Sequence, residues 1–140
     1  MATNKKPIRF ATNVAAGETK TLTRTIDEPA TVEQLVVRFY QGPELAVQVT
    51  PRRIPDNGEG RPQEMVEVIG KDWIDGDGDK WPFDLSEPVE KGDVLEVEIQ
   101  NTAEPDPNVD LSYDISVDMS LDREGGLLRP VRGVLGRLIN

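Results

Sequence analysis

The stretch Val109-Asp110-Leu111-Ser112-Tyr113-Asp114-Ile115-Ser116-Val117-Asp118-Met119 decides the fold, because apolar and polar residues alternate along it without a break. Successive side chains of an extended chain point to opposite faces, so the pattern predicts a half-buried β-strand with an acidic outer face. The same design recurs where Leu95, Val97 and Ile99 alternate with Glu96 and Glu98, and where Leu45, Val47 and Val49 alternate with Ala46 and Gln48. Within Thr31 to Tyr40, Leu35, Val37 and Phe39 form one face and Val36, Arg38 and Tyr40 the other, which predicts a strand covered on both sides. Ile8 to Val14, Glu18 to Ile26, Met65 to Ile69 and Trp81 to Leu85 are further candidates.

Turn-forming residues punctuate these segments at short intervals: Ala16-Gly17, Glu28-Pro29, Gln41-Gly42-Pro43, Pro55-Asp56-Asn57-Gly58, Lys91-Gly92-Asp93 and Glu104-Pro105-Asp106-Pro107. Many short strands separated in this way predict an all-β fold, an antiparallel β-sandwich or barrel of about eight strands with N- and C-terminal arms, whose strand order periodicity does not specify. A chain of 140 residues fits one such domain. Aromatic residues are only 5% of it, so the core is expected to be aliphatic, and Trp73 and Trp81 stand out.

Three regions follow. Residues 1–16 read as a basic N-terminal arm or first strand, 17–122 as the sandwich, and 123–140 as a basic, apolar tail. In the tail, Gly125-Gly126 reads as a hinge before Leu127, Leu128, Val131, Val134, Leu135, Leu138 and Ile139, which fall close to helical spacing. A short amphipathic helix from Pro130 is expected, weakened by Gly133 and Gly136 at about 1 kcal/mol each.

Charge and composition exclude much chemistry. Every one of the 26 acidic residues lies between Glu18 and Glu124, whereas Lys5, Lys6 and Arg9 precede that block and Arg129, Arg132 and Arg137 follow it. An acidic body between two basic ends repels nucleic acid, since affinity there needs cations to neutralise phosphates. The carboxylate-dense composition, with ten Arg against six Lys, is the pattern of proteins that work in high salt, where screening relieves self-repulsion. Cysteine is absent, which removes disulfides, thiolate nucleophiles and zinc-thiolate sites; histidine is absent too, which removes the commonest general base near neutral pH. No apolar stretch approaches the roughly 20 residues of a membrane helix, and Met1 to Phe10 lacks the apolar core of a signal peptide. The expectation is a soluble, non-catalytic protein that needs no cofactor and contacts neither nucleic acid nor membrane.

Four candidate sites remain. The tail residues Leu127, Leu128, Arg129, Val131, Arg132, Val134, Leu135, Arg137, Leu138 and Ile139 are the leading partner-binding set, because soluble proteins seldom leave so much aliphatic surface uncovered. Either the tail folds back on its own sandwich or it docks on a neighbour. The loop carrying Asp75, Asp77 and Asp79 gathers hard oxygen ligands suited to Ca2+, although it is not an EF-hand: Lys80 falls where that loop needs glycine and Ser86 where it needs glutamate. Trp73 and Trp81 flank the loop and could stack on a sugar, or simply pin the loop to the sandwich. Arg52-Arg53 reads as a solvated pair on a loop, or as a partner for an acidic neighbouring subunit.

The run Trp81-Pro82-Phe83-Asp84-Leu85-Ser86-Glu87-Pro88-Val89-Glu90-Lys91-Gly92-Asp93-Val94-Leu95, followed by an alternating strand to Asn101, resembles small jelly-roll decoration proteins of tailed-virus heads. Gly17-Glu18-Thr19 matches an early turn of that pattern and Val89-Glu90-Lys91-Gly92-Asp93 a later one, so the resemblance spans Gly17 to Met119. It implies a virion structural protein, a capsid decoration or turret subunit that forms homo-oligomers, trimers or pentamers, and binds the major capsid protein or another virion protein through its terminal arms. With the high-salt composition it implies a virus of salt-loving archaea. A tail or baseplate subunit fits the same features, and a carbohydrate- or calcium-binding module is the reading from a different class.

Overall fold

In the computed structural model, which describes residues 5–40, 46–66, 73–76 and 78–123, the alternating segments form eight strands and no helix. They are β1 (Lys5–Val14), β2 (Thr19–Thr25), β3 (Ala30–Phe39), β4 (Val47–Ile54), β5 (Gln63–Glu64), β6 (Lys80–Val89), β7 (Val94–Asn101) and β8 (Tyr113–Asp122). One sheet has the order β1-β8-β3-β6 and the other β2-β7-β4-β5. Every neighbouring pair is antiparallel.

The pairs β4 with β5, β3 with β6, β2 with β7 and β1 with β8 are nested, as if one long hairpin had been rolled up. Rolling then brings β3 beside β8 and β4 beside β7, which closes two four-stranded sheets face to face. This is the jelly-roll arrangement of a β-sandwich.

The alternation works as the sequence predicts. Leu95, Val97 and Ile99 of β7 and Val117 and Met119 of β8 are fully buried, packed between the sheets with Leu35, Val37 and Phe39 of β3. Burying each such side chain stabilises the fold by about 1.5–3 kcal/mol. Turns reverse the chain where glycine supplies a positive φ, at Gly17 (76°) and Gly92 (94°).

Three sequence expectations need correction. The strand expected from Val109 begins only at Tyr113, because its partner β1 ends at Val14, the residue opposite Tyr113. Before that point Asp110 Oδ1 accepts hydrogen bonds from the Ser112 N–H and hydroxyl, a local turn that competes with strand pairing, and Val109 is 52% exposed. β3 is covered on one face only: Tyr40 is 45% exposed and Arg38 exposed, since the β1-β8-β3-β6 sheet has a single partner sheet. Met65 and Val66 are buried but lie outside any strand; the paired residues there are Gln63 and Glu64.

Candidate functional site

Antiparallel alternation sends the odd-numbered strands towards one pole of the sandwich and the even-numbered strands towards the other. β1 starts where β8 ends, with Lys5 opposite Asp122, and Asp122 is also opposite Thr31 at the start of β3. The described chain therefore begins and ends at one pole, alongside the loop between β2 and β3, with the basic residues Lys5, Lys6 and Arg9 forming part of β1 itself. Arg123 donates to Glu28 of that loop (3.2 Å) and Lys6 to Asp27 (3.4 Å). Beneath these pairs lies a cavity of about 120 Å³ lined by Lys6, Arg24, Ile26, Glu28, Leu121 and Arg123, among others. Both ion pairs are exposed, so each adds little to stability. The tail residues Leu127, Leu128, Arg129, Val131, Arg132, Val134, Leu135, Arg137, Leu138 and Ile139 lie outside the described residues.

The Trp73 to Trp81 segment sits at the opposite pole. Ile74 exchanges two backbone hydrogen bonds of 2.8 Å with Val49, which pins the loop to β4. Trp73 is half-buried and its indole N–H donates to Asp75 Oδ2 (3.0 Å). Phe39 N–H donates to the Asp79 carbonyl (2.9 Å), and Gly76 packs so closely against Asp79, Trp81 and Phe39 that a Cβ there would lie 2.6 Å from the Trp81 indole nitrogen. Trp81 itself is 43% exposed on β6. Among the described residues no three acidic side chains are grouped to hold a metal ion; Asp77 lies outside them.

Arg52 and Arg53 differ from the solvated loop pair expected. Both lie on β4, where alternation turns them to opposite faces. On the outer face Arg52 donates to Glu98 (2.9 Å) and Glu96 (3.2 Å) of β7. Burial pulls the Arg52 pKa down, but the bonds to Glu98 and Glu96 outweigh it and the net shift is upward. On the inner face Arg53 donates to Asp93 (2.9 Å), whose side chain is only 4% exposed, and to Glu87 of β6 in the other sheet (3.4 Å). Asp93 also accepts the Glu90 N–H (2.8 Å), so one carboxylate shapes the β6–β7 turn and ties it to β4.

Sequence reasoning missed two features. The first is this Arg53–Asp93–Glu87 link, whose only sequence signal is an arginine at an inward position of a strand. The second is the edge position of β2, a strand expected from Glu18 to Ile26, where Thr19, Thr21, Thr23 and Thr25 alternate with Lys20, Leu22 and Arg24.

The strand order and closed core define the chain as a jelly-roll β-sandwich. No protein-family model and no curated protein matches it. Solved structures similar to it include the Yersinia pseudotuberculosis-derived mitogen, at 9% identity and a TM-score of 0.43 over 81% of this chain and 84% of that one. Two others are from infectious bursal disease virus. The Gx strain structure has 15% identity and a TM-score of 0.45 over 90% of this chain and 33% of that one. The VP2 subviral particle has 11% identity and a TM-score of 0.46 over 83% and 32%. The chain thus spans about a third of those viral chains.

Proposed function

We propose that the chain is a structural subunit of a virus particle, a capsid decoration or turret protein that acts by binding copies of itself and the shell and carries out no catalysis. The observation that carries this reading is that β8 ends at the pole where β1 begins, so the basic, apolar tail follows a sandwich whose eight strands and described core, β1 included, lie before it. Such a subunit can hold its acidic body outward while the tail reaches a partner. The turn Val89-Glu90-Lys91-Gly92-Asp93, through which the sequence resembles decoration proteins, is held by Asp93 as described above. The tail from Gly125 to Asn140 serves as the anchor to the shell, and the virion is where the protein works.

Sedimentation of the native protein in high salt tests this. Co-migration with a large particle that contains a shell protein is expected, and migration as a free small species overturns the reading. Exposed Trp81 favours a second reading, sugar binding, which calorimetric titration with a glycan panel decides.

A further inference from the structure

β2 is the outermost strand of its sheet and pairs only with β7 among the described residues. On that side Glu18 C=O accepts the Asn101 N–H (2.9 Å) and Ile26 N–H donates to the Asp93 carbonyl (2.8 Å). Antiparallel ladders alternate, so the even-numbered residues face β7 and Thr19, Thr21, Thr23 and Thr25 turn their N–H and C=O groups to the free edge. The other sheet edges are blunted: β1 carries Pro7, β6 carries Pro82 and Pro88, and β5 has two residues. β2 has seven residues and no proline. An inward-pointing lysine can also guard an edge, but Lys20 already donates to the Asn13 carbonyl (2.8 Å) and lies 3.4 Å from Thr12 Oγ1, so an added strand would not leave it unpaired.

We propose that the free edge of β2 pairs antiparallel with the β2 of a second copy about a twofold axis at Thr21, joining two sandwiches through one continuous sheet. Side-chain complementarity selects this register. With the axis at Thr21, each Thr19 opposes Thr23 of the second copy, Lys20 opposes Leu22, and Glu18 opposes Arg24, a pairing of opposite charges repeated by symmetry. Moving the axis to Leu22 would set Lys20 against Arg24, like charges that repel. Glu18 uses Oε1 to accept the Ala15 N–H, which leaves its second oxygen for Arg24 of the second copy. The inference rests on the reading of the chain as a self-assembling subunit and specifies the contact between copies.

The test is sedimentation equilibrium of the full chain over a range of concentration and salt, with the Thr21→Pro and Thr21→Val variants alongside. The wild type is expected to self-associate, more tightly in high salt because each copy carries a net charge of −10. Thr21→Pro removes an N–H that takes no part in the β7 ladder, and should weaken association about tenfold or more while circular dichroism stays native. Thr21→Val keeps the N–H and should associate as the wild type does. Arg24→Glu should also weaken association, and adding Glu18→Arg should restore it. In the unmodified protein, the Thr21 and Thr23 amides should exchange slowly when concentrated and rapidly when dilute, a readout that does not depend on the proline variant folding. Self-association indifferent to both Thr21→Pro and Arg24→Glu, or a wild type that stays monomeric at every salt concentration, overturns the pairing. A chain that dimerises through β2 yet never sediments with a particle upholds the pairing and overturns the functional reading alone.

Discussion

Replacing Arg53 by methionine probes the ion-pair cluster that ties β4 to the β6–β7 turn and to Glu87 of the other sheet. The change keeps most of the aliphatic stem but leaves the Asp93 carboxylate, 4% exposed, without its cation, while the Glu90 N–H remains. Stranding one partner of a buried pair costs about 3–5 kcal/mol. The Arg53 side chain is 17% exposed, which places the cost near the lower end, at about 3 kcal/mol. With a urea m-value of about 1.5 kcal/mol/M, the unfolding midpoint should fall by about 2 M. Arg9→Met supplies the contrast. Its pair with Asp118 has good geometry, at 2.7 and 3.1 Å, but the two side chains are 66% and 39% exposed, so the midpoint should hardly move. The double variant Arg53→Met/Asp93→Asn should be more stable than Arg53→Met alone, since it removes the orphaned charge. Equal midpoint shifts for Arg53→Met and Arg9→Met would refute the argument that burial makes this link strong.

Other outcomes follow from single positions. Gly92→Ala forces a side chain into φ 94° and against the Asn57 amide, and should cost about 1–3 kcal/mol, read as a lowered Tm. The Ser116 hydroxyl is buried without a hydrogen-bond partner among the described residues, so Ser116→Ala should leave stability unchanged or slightly higher in the same urea titration. Asp110 has its pKa held down by the Ser112 hydroxyl and then by the Ser112 N–H. A lowered folded-state pKa contributes stability above the unfolded value and loses it as pH falls through the folded one, so Ser112→Ala should move the Asp110 titration, followed by NMR, back up. Deleting 125–140 should leave the unfolding transition cooperative, because all eight strands and the described core precede those residues, but abolish co-sedimentation with particles.

The pole that gathers both chain ends, and the twinned roles of Arg52 and Arg53, were not legible in the sequence. Alternation says that a strand exists and which residues share a face; it is silent on which strand lies beside it. Lys5 meets Asp122 because the rolled hairpin brings the two ends of the sandwich together, a long-range pairing with no local signal. Asp110 and Leu111 keep the alternating pattern yet stay out of β8, since the strand can begin only where β1 supplies a partner. Local chemistry fared better. The Lys91-Gly92-Asp93 and Ala16-Gly17 turns form where the sequence places them, because the positive φ at each glycine is a requirement of the turn itself.

By itself, then, the sequence determined the all-β class, the aliphatic core and the acidic exterior, since period-two patterning and residue polarity act through near neighbours. The tertiary structure alone decided the strand order, the meeting of the start of β1 with the end of β8, the burial of Arg53 with Asp93 and the exposure of the β2 edge. Each of these depends on which distant segments meet when the two sheets close over one core.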